Sequence, residues 1–211
     1  MTTDSPGKTV RRILADAESL MATSRFVEAL TALERGARVD PDNALVWERL
    51  AVCNLELKQP KKALEAMNQL IRIQPRSVRY WADKAYLHLL LNESIEGIDA
   101  LRESLRLHPL RARDWQLLAT ALIANEEWDE AAHALERAIL LDPNSAVTWY
   151  NYGVYYFLND MYDEALEAVE YALSLDPELE ETASEWLDIV RSGIAEEDEV
   201  FDDEMDEAEA S

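Results

Sequence analysis

The residues with reactive side chains are few and scattered. The chain has three histidines, His88, His108 and His133, and one cysteine, Cys53. None of them belongs to a His-Glu-x-x-His, Cys-x-x-Cys or glycine-rich phosphate motif, and no histidine lies near Cys53 in the sequence to activate its thiol. No pair among the 43 acidic residues stands out for acid–base chemistry. We therefore expect no enzymatic activity, no cofactor and no metal site, and we interpret Cys53 as a core residue.

The acidic residues are concentrated in the second half of the chain. The 211 residues have a net charge of −23, but residues 1–113 contain 18 basic and 15 acidic side chains, whereas residues 114–211 contain 2 and 28. This excess of negative charge argues against general binding to nucleic acid or to anionic membranes, which repel it. The near-neutral first half argues against a general adaptation to a salty cytoplasm. The absence of a secretory signal or a run of about 18 apolar residues favours a cytoplasmic protein.

Four series of residues recur with a spacing of 34. Prolines occupy 41, 75, 109, 143 and 177, and tryptophans occupy 47, 81, 115 and 149. Two series of small residues are Ala17, Ala51, Ala85, Ala119, Gly153 and Ala29, Ala63, Gly97, Ala131, Ala165. Four series in register indicate a repeat architecture.

Each repeat is predicted to contain two helices. In the last one, Trp149, Tyr152, Gly153 and Tyr156 share one helical face, and a polar break at 159–160 separates them from a second helix that ends before Pro177. Such short breaks make the two helices antiparallel, and the small residues let their backbones approach closely. One pair cannot bury its apolar face alone, so neighbouring pairs must stack.

The chain resembles the tetratricopeptide repeat (TPR) family. The matching residues in the last repeat are Trp149, Tyr152, Gly153, Tyr156, Tyr162, Ala165, Ala172 and Pro177. The resemblance implies an all-α, right-handed α-solenoid of five 34-residue helix-turn-helix units that binds other proteins. The units are 10–43, 44–77, 78–111, 112–145 and 146–179, of which the first departs most from the pattern and is interpreted as the N-terminal cap. The lysine and asparagine clamp with which some members grip chaperone C-termini is missing, because its places hold Leu14, Glu18, Arg49, Arg79 and Asp83.

Three segments lie outside the repeats. Residues 1–9 are predicted to be disordered, and residues 180–195 to form a capping helix. Residues 196–211 contain 10 acidic and no basic side chains, so we expect a disordered acidic tail.

The first helices carry an apolar arc that is wider than the core stripe requires. We interpret this arc as the concave groove of the solenoid, where an apolar peptide or helix of a partner binds. The predicted groove residues are Val52, Leu55, Ala82, Tyr86, Leu89, Gln116, Thr120, Ile123, Tyr150, Val154 and Phe157. The alternative is that adjacent first helices cover these side chains.

Several arginines are candidates for an anion-binding strip. They are Arg38, Arg72, Arg79, Arg106 and Arg113. The strip would bind an acidic group, for which the chain's own tail, with Phe201 and Met205, is a candidate. The alternative is that arginines at helix C-termini complement the helix dipole.

The sequence therefore favours a non-catalytic scaffold or adaptor for a protein partner. A second hypothesis is a polyanionic chaperone or shield whose acidic C-terminal half holds a basic protein. Neither hypothesis predicts direct binding to nucleic acid or membrane, and a homo-oligomer is compatible with both.

Overall fold

The structure, a computed structural model, describes residues 5–184 and 187–192. Ten α-helices follow one another between Pro6 and Leu175, and contacts divide the chain into two compact units. Unit 1, Met1–Pro109, contains α1 (Pro6–Ala22), α2 (Phe26–Val39), α3 (Ala44–Glu56), α4 (Pro60–Ile73), α5 (Val78–Leu90) and α6 (Ser94–Leu107). Unit 2, Leu110–Ser211, contains α7 (Ala112–Ala124), α8 (Trp128–Leu141), α9 (Ala146–Phe157), α10 (Tyr162–Leu175) and a 3-10 turn at Pro177–Leu179. The predicted all-α fold of five helix pairs is confirmed.

Each odd-numbered helix packs most extensively against the even-numbered helix that follows it. The small residues of both series are buried, with Ala17, Ala85 and Ala119 on the first helices and Ala29 and Ala63 on the second all at 0% exposure. These side chains permit the close backbone approach that their spacing predicts.

The proline and tryptophan series form a single repeated interaction. The indole Nε1–H of Trp47 donates to the carbonyl of Pro41 at 2.7 Å, and Trp81 and Trp149 donate to Pro75 and Pro143 at 2.9 Å. Each of these bonds fastens a first helix to the turn that precedes it.

The turn inside every pair has a left-handed residue, and none of the five is glycine. These residues are Ser24, Lys58, Asn92, Glu126 and Asp160, with φ between 57° and 60°. The next residue donates its N–H to a carbonyl five positions back, as Gln59 does to Asn54 at 2.8 Å. This Schellman motif satisfies carbonyls at the end of each first helix.

The N-terminal segment differs from its prediction. α1 begins at Pro6, so residues 6–9 are helical rather than disordered. Pro6 stands in the first turn, where its fixed φ suits the helix, and Val10 in the second turn is 1% exposed. The early start thus extends a helix whose apolar face is already buried.

Beyond α10, residues 180–184 and 187–192 are helical. Ala183, Leu187 and Val190 are buried, and Ala183 and Leu187 cluster with Val169 of α10. This is the packing expected of a capping helix. The rest of that predicted helix and the acidic tail 196–211 lie outside the described residues.

Candidate peptide-binding groove

A cavity of about 440 Å³ opens in unit 1 between α3, α4 and α5. Its apolar lining combines predicted groove residues with side chains from the second helix. The apolar side chains are Ala51, Val52, Leu55, Met67, Leu70, Tyr86 and Leu87. Val52 and Tyr86 remain 40% and 49% exposed, so both present apolar surface to anything that enters.

Charged side chains also line this cavity, and its two arginines bind carboxylates of the chain. Arg49 donates to Oε1 of Glu18 at 3.1 Å, which joins α3 to α1. Arg79 of α5 binds Glu48 of α3 and lies 3.7 Å from Asp83. The arginine charges at the cavity are therefore met by carboxylates of the chain, and its apolar surface is the part left for a ligand.

Three polar contacts between adjacent first helices join residues that are 31 positions apart. Glu18 with Arg49 and Glu48 with Arg79 are two examples in unit 1. In unit 2, Asn151 donates to the hydroxyl of Thr120 at 2.8 Å, again 31 residues apart. Adjacent first helices thus touch through polar side chains, among which Thr120 is the predicted groove residue.

The predicted groove residues separate into two sets in unit 1. Val52, Leu55 and Tyr86 line the cavity. Ala82 is 8% exposed and therefore belongs to the core. Leu89 points towards α6, where its Cδ2 lies 2.7 Å from the position that a Cβ on Gly97 would occupy. The missing side chain at Gly97 gives Leu89 an intramolecular partner that the sequence interpretation did not assign.

The six predicted groove residues of unit 2 are also partly used within the fold. Tyr150 packs against the cluster of Val169, Ala183 and Leu187, and the ring of Phe157 lies 5.8 Å from that of Tyr162. Gln116, Ile123 and Val154 are half-buried, whereas Thr120 is exposed.

The predicted anion strip contains arginines with partners of their own. Arg72 binds Asp42 at 2.7 Å, Arg106 binds Glu103 at 2.9 Å, and Arg79 binds Glu48. Arg38, Arg72 and Arg106 lie in the last turns of α2, α4 and α6, where the helix dipole favours a cation. Arg113 is exposed on α7. These positions favour the dipole interpretation for the series.

Cys53 lies in the core at 0% exposure. Burial, and then the charge of Glu56, raise the pKa of its thiol. The thiol form is inert compared with the thiolate, as expected of a packing residue.

Nδ1 of His88, which is also buried, lies 2.8 Å from Oε2 of Glu93. Across the residues that the structure describes, no group of three or more His, Cys, Asp or Glu side chains could hold a metal ion, and no helix is long and apolar enough to cross a membrane.

The sequence matches two family models described as tetratricopeptide repeat, over residues 20–85 and 117–180. Together these matches cover more than half of the chain. The chain belongs to the TPR family. The helix pairs, their buried small residues and their Pro–Trp hydrogen bonds are therefore those of consecutive TPR units.

Solved TPR structures resemble the chain in fold. A crystal structure of MamA aligns with a TM-score of 0.74 at 20% identity, covering 85% of this chain and 96% of MamA. MamA from Desulfovibrio magneticus RS-1 aligns at 0.73 and 17% identity, covering 81% and 96%. YrrB, a TPR protein with an unusual peptide-binding site, aligns at 0.70 and 16% identity, covering 82% and 93%. None of the curated protein sequences matches the chain.

Sequence reasoning missed part of the cavity lining. Met67 and Leu70 come from α4, a second helix, while the prediction considered only first helices. Glu48 and Arg79 are 31 residues apart rather than 34, so a search at the repeat spacing does not connect them. A search for opposite charges at that shorter spacing would have found both ion pairs.

Proposed function

We propose that the chain is a non-catalytic protein-interaction module, and that the unit 1 cavity binds a large apolar side chain from a helix or extended segment of a partner. The observation that carries the proposal is the cavity of about 440 Å³ with Val52 and Tyr86 exposed at its edge. Cavities of this size, mostly apolar with a few placed polar groups, are typical binding sites. TPR units generally bind proteins, and the peptide-binding site attributed to YrrB makes a peptide the first ligand class to test.

The paired charges at the cavity set the expected specificity. Because Arg49 and Arg79 have carboxylate partners in the chain, an anionic ligand would have to compete with them. An apolar side chain needs no such exchange and gains from leaving water. We therefore expect affinity to depend on one or two large apolar residues of the peptide.

The test is a selection of peptides from a random library by the wild-type protein, followed by affinity measurements from fluorescence anisotropy. Tyr86→Glu places a charge at the cavity and should weaken the selected peptides at least about ten-fold. Ile95→Glu, at a residue that is 64% exposed on α6 and outside the cavity lining, is the matched control and should leave affinity unchanged. Equal losses of peptide affinity in the two variants, with helicity retained, would refute the proposal that the unit 1 cavity binds the peptide.

The charge of unit 2 favours a second candidate function. Residues 110–211 contain 28 acidic and 4 basic side chains, against 15 and 16 in residues 1–109. A polyanionic surface of this kind attracts a basic protein by long-range steering. Such binding should weaken steeply between low and high salt, whereas apolar binding in the unit 1 cavity should not.

The cytoplasmic location and the homo-oligomer that the sequence allows remain predictions.

A further inference from the structure

A second cavity, of about 370 Å³, lies between α9 and α10 in unit 2. Four aromatic rings and two carboxylates line it, and none of the rings belongs to the predicted groove. These six residues, called here the aromatic–acidic pocket, are Trp149, Tyr152, Tyr156, Tyr171, Glu164 and Glu167.

The rings of the aromatic–acidic pocket form a continuous set of contacts. Tyr152 stacks on Tyr156 with centroids 4.5 Å apart, and Tyr171 meets Trp149 edge-on at 4.9 Å. Burial and a hydrogen bond with Tyr156 raise the pKa of Tyr152 above its ordinary range. The neutral ring faces are electron-rich and attract cations.

In two other repeats, the tryptophan equivalent to Trp149 contacts a cation. In the third pair, Nζ of Lys84 lies 5.4 Å from the ring centre of Trp81, and in the fourth, Cζ of Arg137 lies 5.8 Å from that of Trp115. Each of these two tryptophans therefore has a cation from its own pair at cation–π distance.

In the fifth pair both cation positions have become tyrosine. Tyr152 lies 68 residues, or two repeats, after Lys84. Tyr171 lies 34 residues, or one repeat, after Arg137. Helices α9 and α10 contain no lysine or arginine, while α10 contains four carboxylates. Trp149 is therefore equivalent to tryptophans that contact a cation in the third and fourth pairs. In the fifth pair, two further rings and two carboxylates lie near it in place of the internal cation.

We propose that the aromatic–acidic pocket binds a lysine or arginine side chain from a basic segment of a protein partner. The rings supply cation–π contacts, and Glu164 and Glu167, one turn apart on α10, supply the opposite charge. Between residues 114 and 211 only Arg137 and Arg191 oppose 28 acidic residues, so the surrounding field steers a basic segment towards the pocket. This site is independent of the unit 1 cavity, and either proposal can fail alone.

The test is a titration of the full chain with N-acetyl-arginine methylamide and N-acetyl-lysine methylamide, followed through the indole N–H signals in NMR. The signal of Trp149 is assigned from a Trp149→Phe variant. Both compounds should shift it saturably, and the neutral citrulline analogue should not. Signals of Trp47 and Trp115 serve as internal controls, because general attraction to the acidic surface would not single out Trp149.

Two charge variants separate the pocket from bulk charge. Glu164→Gln with Glu167→Gln should weaken arginine binding about five-fold, whereas Asp163→Asn with Glu170→Gln should change it by less than about two-fold. Each pair removes two charges from exposed positions of α10, one of them in its first turn. Equal weakening in both variants would overturn the proposal, as would a citrulline response equal to that of arginine or the absence of any saturable Trp149 shift.

A third variant adds a positively charged side chain to the aromatic–acidic pocket. Tyr171→Arg places a guanidinium where the fourth pair has Arg137, and it should abolish binding of both compounds while the fold is retained. Loss of binding in Tyr171→Phe as well would contradict this interpretation, because phenylalanine keeps the ring and adds no charge. A basic ten-residue peptide with one arginine should bind with the same dependence on these variants. Self-association of the wild type that Tyr171→Arg removes would instead assign the pocket to a second copy of the chain and overturn the proposal.

Discussion

The hydroxyl of Tyr80 donates a 2.7 Å hydrogen bond to Oε1 of Glu48, the oxygen that Arg79 also binds. Tyr80 is 5% exposed, and its bond joins α5 to Glu48 of α3, which lines the unit 1 cavity. A charged acceptor makes such a bond stronger than one between neutral groups. The position of Glu48 at the cavity is therefore fixed from two sides.

Tyr80 should make stability depend on alkaline pH. Burial and the bond to Glu48 raise its pKa from 10 to about 12, which means that the folded state retains a proton that the unfolded chain loses first. The free energy of unfolding should therefore fall as pH rises from about 10 to 12. Urea unfolding at pH 8, 10 and 11 measures this slope, which Tyr80→Phe should reduce. Parallel pH profiles of the two proteins would show that Tyr80 does not contribute.

Removal of the Arg111 side chain should destabilise the protein, because Arg111 is a hydrogen-bond partner of the buried carboxylate of Asp114. Asp114 is 1% exposed, and its Oδ2 accepts from Nε of Arg111 at 2.8 Å. Because a buried carboxylate depends on its partners, Arg111→Met should lower the free energy of unfolding by about 1–3 kcal/mol. Arg113→Met removes the same charge from an exposed position of α7 and should change it by less than about 0.5 kcal/mol. Similar unfolding midpoints in urea for the two variants would contradict this role.

The fold was predictable because four of the five repeats contain the same residue pattern independently. Tryptophan, proline and the small residues recur together, and the structure shows the reason, since Trp47 bonds to Pro41 and Ala51 and Ala63 are buried. The start of α4 at Pro60 follows from proline's preference for the first helical turn.

The candidate sites were less predictable because they depend on contacts between different repeat positions. A helical projection places Leu89 and Ala82 on the same apolar arc as Val52. In the structure, however, Leu89 packs over Gly97 and Ala82 is buried. The aromatic–acidic pocket is hidden for a related reason. The sequence shows only that Trp149 and Tyr152 share one helical face, and the comparison of side chains across repeats is needed to reveal the missing cation.

Gly97 and Leu89 should be energetically coupled. A Cβ at Gly97 would lie 2.7 Å from Cδ2 of Leu89, so Gly97→Ala should lower the free energy of unfolding by about 1 kcal/mol. With Leu89→Ala present the clash is gone, and Gly97→Ala should instead stabilise by about 0.5–1 kcal/mol, because alanine favours the helix. A double-mutant cycle in urea measures the difference. Additive effects would mean that Leu89 moves aside at no cost and is available to the groove after all.

Lys58 should be replaceable by glycine with a gain in stability. It is exposed and has a φ of 57° between α3 and α4, a left-handed conformation that costs a side chain about 1–2 kcal/mol. Glycine adopts it freely but loses more backbone entropy on folding, so we expect Lys58→Gly to stabilise by about 0.5–1 kcal/mol. Asn92→Gly, at the equivalent turn, should gain less because asparagine tolerates this region. Thermal unfolding of both variants and of Lys58→Val, which should destabilise because its side chain is β-branched, measures the order. A lower midpoint for Lys58→Gly than for the wild type would mean that its unfolded-state entropy outweighs the relief at this turn.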